Sequence, residues 1–169
     1  MLRYIFLDVD GVLNSWRTCH AFGDIPHPSD PIQYIHDRLD PVARELINQL
    51  VFEGCTVILS SSWKATVYSD ELRLDQMSEA LGITLKGMTP AWVPDGDGSR
   101  GEEVAHWLRE NAPKDEYFTY CIIDDKNMFK MEEQQNHLVL VDQAEGFSFK
   151  NYGRARQILG LNKPMPVSL

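Results

Sequence analysis

The sequence predicts a doubly wound α/β fold with a parallel five-stranded sheet and helices on both faces. Three observations carry this. Five short apolar runs have strand length; four segments with helical periodicity or caps alternate with them; and the strongest runs are apolar at successive positions, as strands covered on both faces are. At 169 residues, 43% of them hydrophobic, the chain is the size of one domain with one well-buried core.

The runs are "RYIFLD" (3–8), "CTVILS" (55–60), "ITLKGM" (83–88), "YFTYCIID" (117–124) and "HLVLVD" (137–142). Between the first two, Asp40 and Pro41 read as an N-cap and first helical residue, with Gly54 past the far end. Val42, Leu46, Ile47, Leu50 and Val51 form the apolar stripe of that helix. Ser69 is expected to open a second helix presenting Leu72, Met77, Ala80 and Leu81 to the sheet and ending at Gly82. Ser99 and Glu102 have capping-box spacing ahead of "EVAHWL". A last helix near 150–159 stops at Gly160. The expected organisation is one domain over 1–160, with a loop or flap insertion at 14–39 and a loose C-terminal tail at 161–169. The insertion carries three prolines and shows no clear periodicity, and "TPAWVPDGDG" (89–98) reads as an ordered loop.

The formal charge of −9 disfavours an extended, salt-driven nucleic-acid track. No apolar stretch is long enough to span a membrane, and "MLRYIFLDVD" lacks the features of a secretory signal. Cys19, Cys55 and Cys121 form an odd, sparse set without C-x-x-C spacing, in keeping with free thiols in a reducing cytoplasm.

Right-handed crossovers bring every strand's C-terminal end to one edge of the sheet. Asp8 and Asp10 follow the first strand, Ser60, Ser61 and Ser62 the second, and Asp124 and Asp125 the fourth. That edge is where open α/β sheets bind ligands. Four converging carboxylates would repel one another, and a hard divalent cation such as Mg²⁺, which takes oxygen ligands and a substrate phosphate, removes the conflict. The stretch "DGDGSRGEE" (95–103) fails as a calcium loop, with Arg100 where glycine is needed and His106 where glutamate is needed. Trp63 and Trp92 stand in loops at the active edge, where each could stack on a base or ring or simply pack.

"FLDVDGVL" resembles the first motif of the haloacid dehalogenase superfamily, "VILS" the second, Arg100 in "SRGEEVAHWL" the basic third, and "CIIDD" the fourth. The resemblance runs from about residue 3 to residue 142. It implies that Asp8 is the nucleophile, forming an aspartyl-phosphate, and Asp10 the general acid and base. It also implies that Asp8, the backbone carbonyl of Asp10 and Asp124 hold Mg²⁺, with Asp125 direct or through water. Ser60 would bind the phosphoryl group, with Ser61 as the alternative; Arg100 would do so too, with Lys86 and Lys64 as alternatives.

In this superfamily a flap or cap follows the first motif, which makes Asn14, Trp16 and Arg17 candidate substrate contacts beside Trp63 and Trp92. Neither long loop has room for a cap domain, so the chain resembles capless members. "LDVDGVLN", "LSSSWK" and "IIDD" are similar to capless domains associated with RNA repair. The resemblance implies a Mg²⁺-dependent phosphomonoester hydrolase acting on a nucleotide or a polynucleotide-end phosphate. The alternatives are a phosphoprotein or small-metabolite phosphatase, phosphotransfer to an acceptor other than water, and a non-catalytic module that kept the fold.

Overall fold

The computed structural model describes residues 1–69, 72–94 and 96–161. Its five strands are β1 (Leu2–Leu7), β2 (Thr56–Leu59), β3 (Leu85–Met88), β4 (Phe118–Asp124) and β5 (Leu138–Leu140). All pair in parallel in the order β3-β2-β1-β4-β5. β1 is central and pairs with β2 on one side and β4 on the other, so the order reverses beside it.

Side-chain parity divides the core into two layers. Ile5 and Leu7 of β1, Val57 and Leu59 of β2, and Cys121 and Ile123 of β4 point to one face. There they pack with Ile47 and Leu50 of α3 (Pro41–Phe52), Met77 and Leu81 of α5 (Leu74–Leu81), and Ala155 of α8 (Phe149–Ile158). Tyr4, Phe6, Ile58, Tyr120 and Ile122 point to the other, beneath Val104 and Trp107 of α6 (Arg100–Asn111). Trp107 meets Tyr4 and Phe6 edge-on, at centroid distances of 5.2 and 5.4 Å. Both faces are thus covered, as an all-parallel sheet requires. Among the described residues, no helix is long and apolar enough to cross a membrane.

Asp40 caps α3 as its sequence suggests, its Oδ1 accepting from the Val42 and Ala43 amides at 2.8 and 3.2 Å. Such a cap contributes about 1 kcal/mol. The buried stripe, however, is Ala43, Ile47 and Leu50, and Val42 is exposed, because the helix is rotated so that Ala43 takes the first inward place. Ser69 does not open a helix. Its amide donates to the Ala65 carbonyl (2.9 Å) and closes a short helix the sequence did not reveal, α4 (Lys64–Tyr68). The following helix, α5, begins five residues later, where the Gln76 side chain accepts from the Arg73 amide (3.0 Å). Ser99 caps α6, its Oγ accepting from the Glu102 amide (3.3 Å), while the Glu102 carboxylate reaches the Asp97 amide rather than Ser99 (2.5 Å).

Segment 14–39 is not without periodicity: it holds α1 (Trp16–Phe22) and α2 (Ile32–Arg38). Each spans only two turns, too short for its pattern to stand out among the prolines. A further short helix, α7 (Glu132–His137), precedes β5. Of the expected tail, residues 162–169 lie outside the described residues.

Candidate active site

The site lies beyond the C-terminal ends of β1, β2 and β4, where the parallel ladder runs on for one more residue. The Asp8 amide donates to Ile123 O (3.0 Å) and the Ser60 amide to Leu7 O (2.8 Å). These bonds fix where the first acid and the serine leave the sheet. The chain then turns at Gly11, whose φ of 74° is strained for other residues. A Cβ there would stand 2.5 Å from Asp125 Oδ2, so the glycine also lets the first and fourth motifs touch. Gly11→Ala is therefore expected to cost about 1–3 kcal/mol of backbone strain and to displace Asp125, measurable by urea unfolding and by weaker Mg²⁺ binding.

Asp8 and Asp124 are buried, and the carboxylate oxygens of Asp8, Asp124 and Asp125 come within 4.8 Å of one another. One Arg100 guanidinium nitrogen bridges two of them, 2.7 Å from Asp8 Oδ2 and 2.6 Å from Asp124 Oδ2. Burial works against the charge of Arg100, but the two carboxylates outweigh it and hold the group firmly protonated. Burial, then the Asp8 charge, pushes Asp124 up to about 6 despite Arg100, and the same two causes raise Asp125. Asp8 Oδ1 accepts from the Val9 amide and Asp124 Oδ1 from the Lys126 amide, both at 2.8 Å. Asp125 Oδ1 is buried with no hydrogen-bond partner among the described residues. An all-oxygen donor set, excess negative charge and an orphaned carboxylate oxygen all fit a hard divalent cation.

Asp10 lies outside that triad of carboxylates and has its own surroundings. Its Oδ1 accepts from Asn14 Nδ2 (2.9 Å) and its Oδ2 from Trp63 Nε1 (3.0 Å). Asn14 also accepts from the Gly11 amide (2.9 Å), so one side chain closes the turn and holds the acid. Trp63 is 2% exposed. Its ring is packed in the core rather than offered for stacking, and its contribution is the indole N–H. Arg17 is turned to the Asp40 carboxylate (2.5 Å) and, at 3.6 Å, to Glu145. Trp16 and Trp92 are exposed.

Ser60 and Ser61 are both buried after β2. Ser60 Oγ has no hydrogen-bond partner among the described residues, whereas Ser61 Oγ accepts a long bond from the Trp63 amide (3.4 Å). Of the three basic candidates, Arg100 is on Asp8, and Lys86 is exposed on the edge strand β3. Lys64 is buried, pairs with Glu103 of α6 and donates to Thr89 Oγ1 (2.9 Å). Burial lowers its pKa, and Glu103 opposes that. Sequence reasoning did not find this Lys64–Thr89–Glu103 link, which ties the serine loop to the helix that carries Arg100. The one available signal was that Glu103 follows Arg100 by three positions, on the same side of the helix.

The family model for the HAD domain in Swiss Army Knife RNA repair proteins matches residues 4–152. Neither the curated proteins nor the solved structures yielded a match. The matched span runs from β1 into α8 and takes in all four motifs, and with its parallel sheet, and no large cap among the described residues, the chain belongs to that family of the haloacid dehalogenase superfamily.

Proposed function

We propose that the protein is a Mg²⁺-dependent phosphomonoester hydrolase working through an aspartyl-phosphate on Asp8, with a nucleotide or a nucleic-acid-end phosphate as substrate. The observation that carries this is the placement of Arg100 and the Asp124–Asp125 pair around the Asp8 carboxylate, with the unpartnered Ser60 hydroxyl also buried at this sheet edge. Asp8, Asp124, Asp125 and the Asp10 carbonyl would hold the cation. When bound, it offsets the repulsion between a carboxylate nucleophile and a phosphate dianion.

In the first step an Asp8 oxygen bonds to phosphorus and the bond from phosphorus to the alcohol oxygen breaks. Asp10 delivers its proton to that oxygen. In the second step Asp10 takes a proton from water, whose oxygen bonds to phosphorus as the Asp8–phosphorus bond breaks, releasing phosphate. Arg100 spends one nitrogen on the two aspartates and has further N–H donors for the phosphoryl oxygens. Ser60 Oγ supplies another donor, with Ser61 beside it. Three free cysteines agree with a cytoplasmic setting.

The test is hydrolysis of p-nitrophenyl phosphate with Mg²⁺ and with chelator. Turnover that ignores the chelator would sink the proposal. Trp63→Phe probes the proton-transfer role of Asp10, because it keeps the ring and removes the donor. Its expected cost is about 1 kcal/mol of stability. Turnover should fall roughly tenfold on methyl phosphate, whose leaving oxygen needs a proton, and much less on p-nitrophenyl phosphate. Equal losses on both substrates would assign Trp63 to packing alone.

A further inference from the structure

Asp10 also borders a pocket of about 800 Å³ that the chemistry above leaves unused. The size falls in the usual range for small-molecule sites, ~300–1,000 Å³. Trp16, Ile25, Pro26 and Pro28 line it, and Trp16 and Ile25 are 56% and 51% exposed, so two large apolar side chains stand open beside the acid.

This wall is preformed. Asp24 accepts from the Tyr34 hydroxyl and from Arg38 Nε (3.1 Å), which anchors the segment to α2. Asp30 closes a turn on His27, its Oδ2 accepting from the His27 amide (2.7 Å) and its amide donating to His27 O (2.9 Å). Pro26, Pro28 and Pro31 further limit the backbone. A ligand placed against such a wall spends little on ordering it.

Apart from Asp10, the polar lining of the pocket consists of hydroxyls, side-chain amides and one imidazole. His27 Nδ1 accepts from the Ser29 amide (3.2 Å), which leaves the Nε2 N–H to donate. Ser62 and Gln143 add exposed hydroxyl and amide groups. Among the described residues that line the pocket, none is a lysine or arginine. Arg17, next to Trp16, is held by Asp40 and Glu145. Phosphates are bound by fixed cations, and the lining offers none. Neutral rings are bound by aromatic and aliphatic faces and by uncharged donors.

We infer that this pocket takes the alcohol half of the substrate as a single neutral, nucleoside-sized unit packed against Trp16 and Ile25, and that phosphates beyond the one removed add no affinity. The inference rests on the hydrolase proposal for its choice of substrate, and its test does not depend on turnover.

The test is calorimetric binding to the full chain carrying Asp8→Asn, with Mg²⁺ present. The wild-type protein in chelator serves instead should that variant misfold. The probes are adenosine, adenosine monophosphate, and a pentanucleotide bearing the same terminal phosphate, at about 50 and 200 mM salt. Adenosine is expected to bind, and Trp16→Ala to weaken it roughly tenfold. The pentanucleotide is expected to bind within about threefold of the monophosphate, with little change across the two salt levels. Absence of adenosine binding, or a pentanucleotide at least tenfold tighter whose advantage fades with salt, overturns the inference. Failure of the p-nitrophenyl phosphate assay strikes the hydrolase proposal and leaves these binding outcomes readable.

Discussion

Replacing Asp8 with asparagine is expected to lower hydrolysis of p-nitrophenyl phosphate by at least about 10³-fold while changing stability little. The amide is nearly isosteric but is not a nucleophile, so the covalent step has no starting point. Two effects on stability oppose each other. The variant weakens the 2.7 Å contact with Arg100, and it removes one charge from a cluster of three carboxylates, two of them buried, served by a single guanidinium. The expected net is within about 1 kcal/mol, or a few degrees in Tm for a domain of this size. Residual turnover above a tenth of wild type would remove Asp8 from its assigned role. A collapse in Tm would show that the loss of activity came from unfolding.

The second large effect is the response to Mg²⁺. Chelation is expected to abolish turnover, and Mg²⁺ at about a hundred times its Kd to stabilise the fold by about 2.7 kcal/mol. The pH dependence follows from Asp124, which burial and the Asp8 charge push up to about 6. A carboxyl whose folded pKa is raised holds its proton longer in the folded protein than in the unfolded one. Without the cation, its contribution to stability therefore declines as pH rises from the unfolded value of about 4 through 6. Protons compete with Mg²⁺ over that window, so the thermal shift on adding Mg²⁺ should be larger at pH 7 than at pH 5. Asp124→Asn is expected to abolish most of the shift at both. A shift that is unchanged in that variant would place the cation elsewhere.

All five strands were legible because each is a compact apolar run, and helices α3, α6 and α8 because residues that cap or stop a helix flank them. The first turn of α3 was read one position out, since Val42 and Ala43 are both acceptable on an inward face and only packing selects between them. Helices α1, α2, α4 and α7 stayed hidden for one shared reason: at five to seven residues, tertiary contacts rather than periodicity hold them. At the site, the acids were visible because a carboxylate after a buried strand demands a partner. The surroundings of Asp10 were not, because a tryptophan after three serines does not announce whether its face or its N–H is in use. Stacking and packing were both open for Trp63 until burial of the ring selected packing. Likewise the Lys64–Glu103 pair joins residues far apart in sequence, and no local spacing records it.

The central position of β1 has a consequence for how activity first arises. The strand bearing Asp8 is made first, yet its neighbour β4 comes from far along the chain, with Leu2 pairing with Phe118 and Leu7 with Ile123. Closing so long a loop costs entropy that local contacts cannot offset, and such topologies fold slowly. During synthesis Asp8 must therefore wait, its strand paired at most on the β2 side, until Asp124 has left the ribosome. A chain stopped before β4 would carry Asp8 and the serines but could not assemble the acids across from them. Competence appears at one late moment rather than by degrees, and β4 is the element whose docking sets its timing.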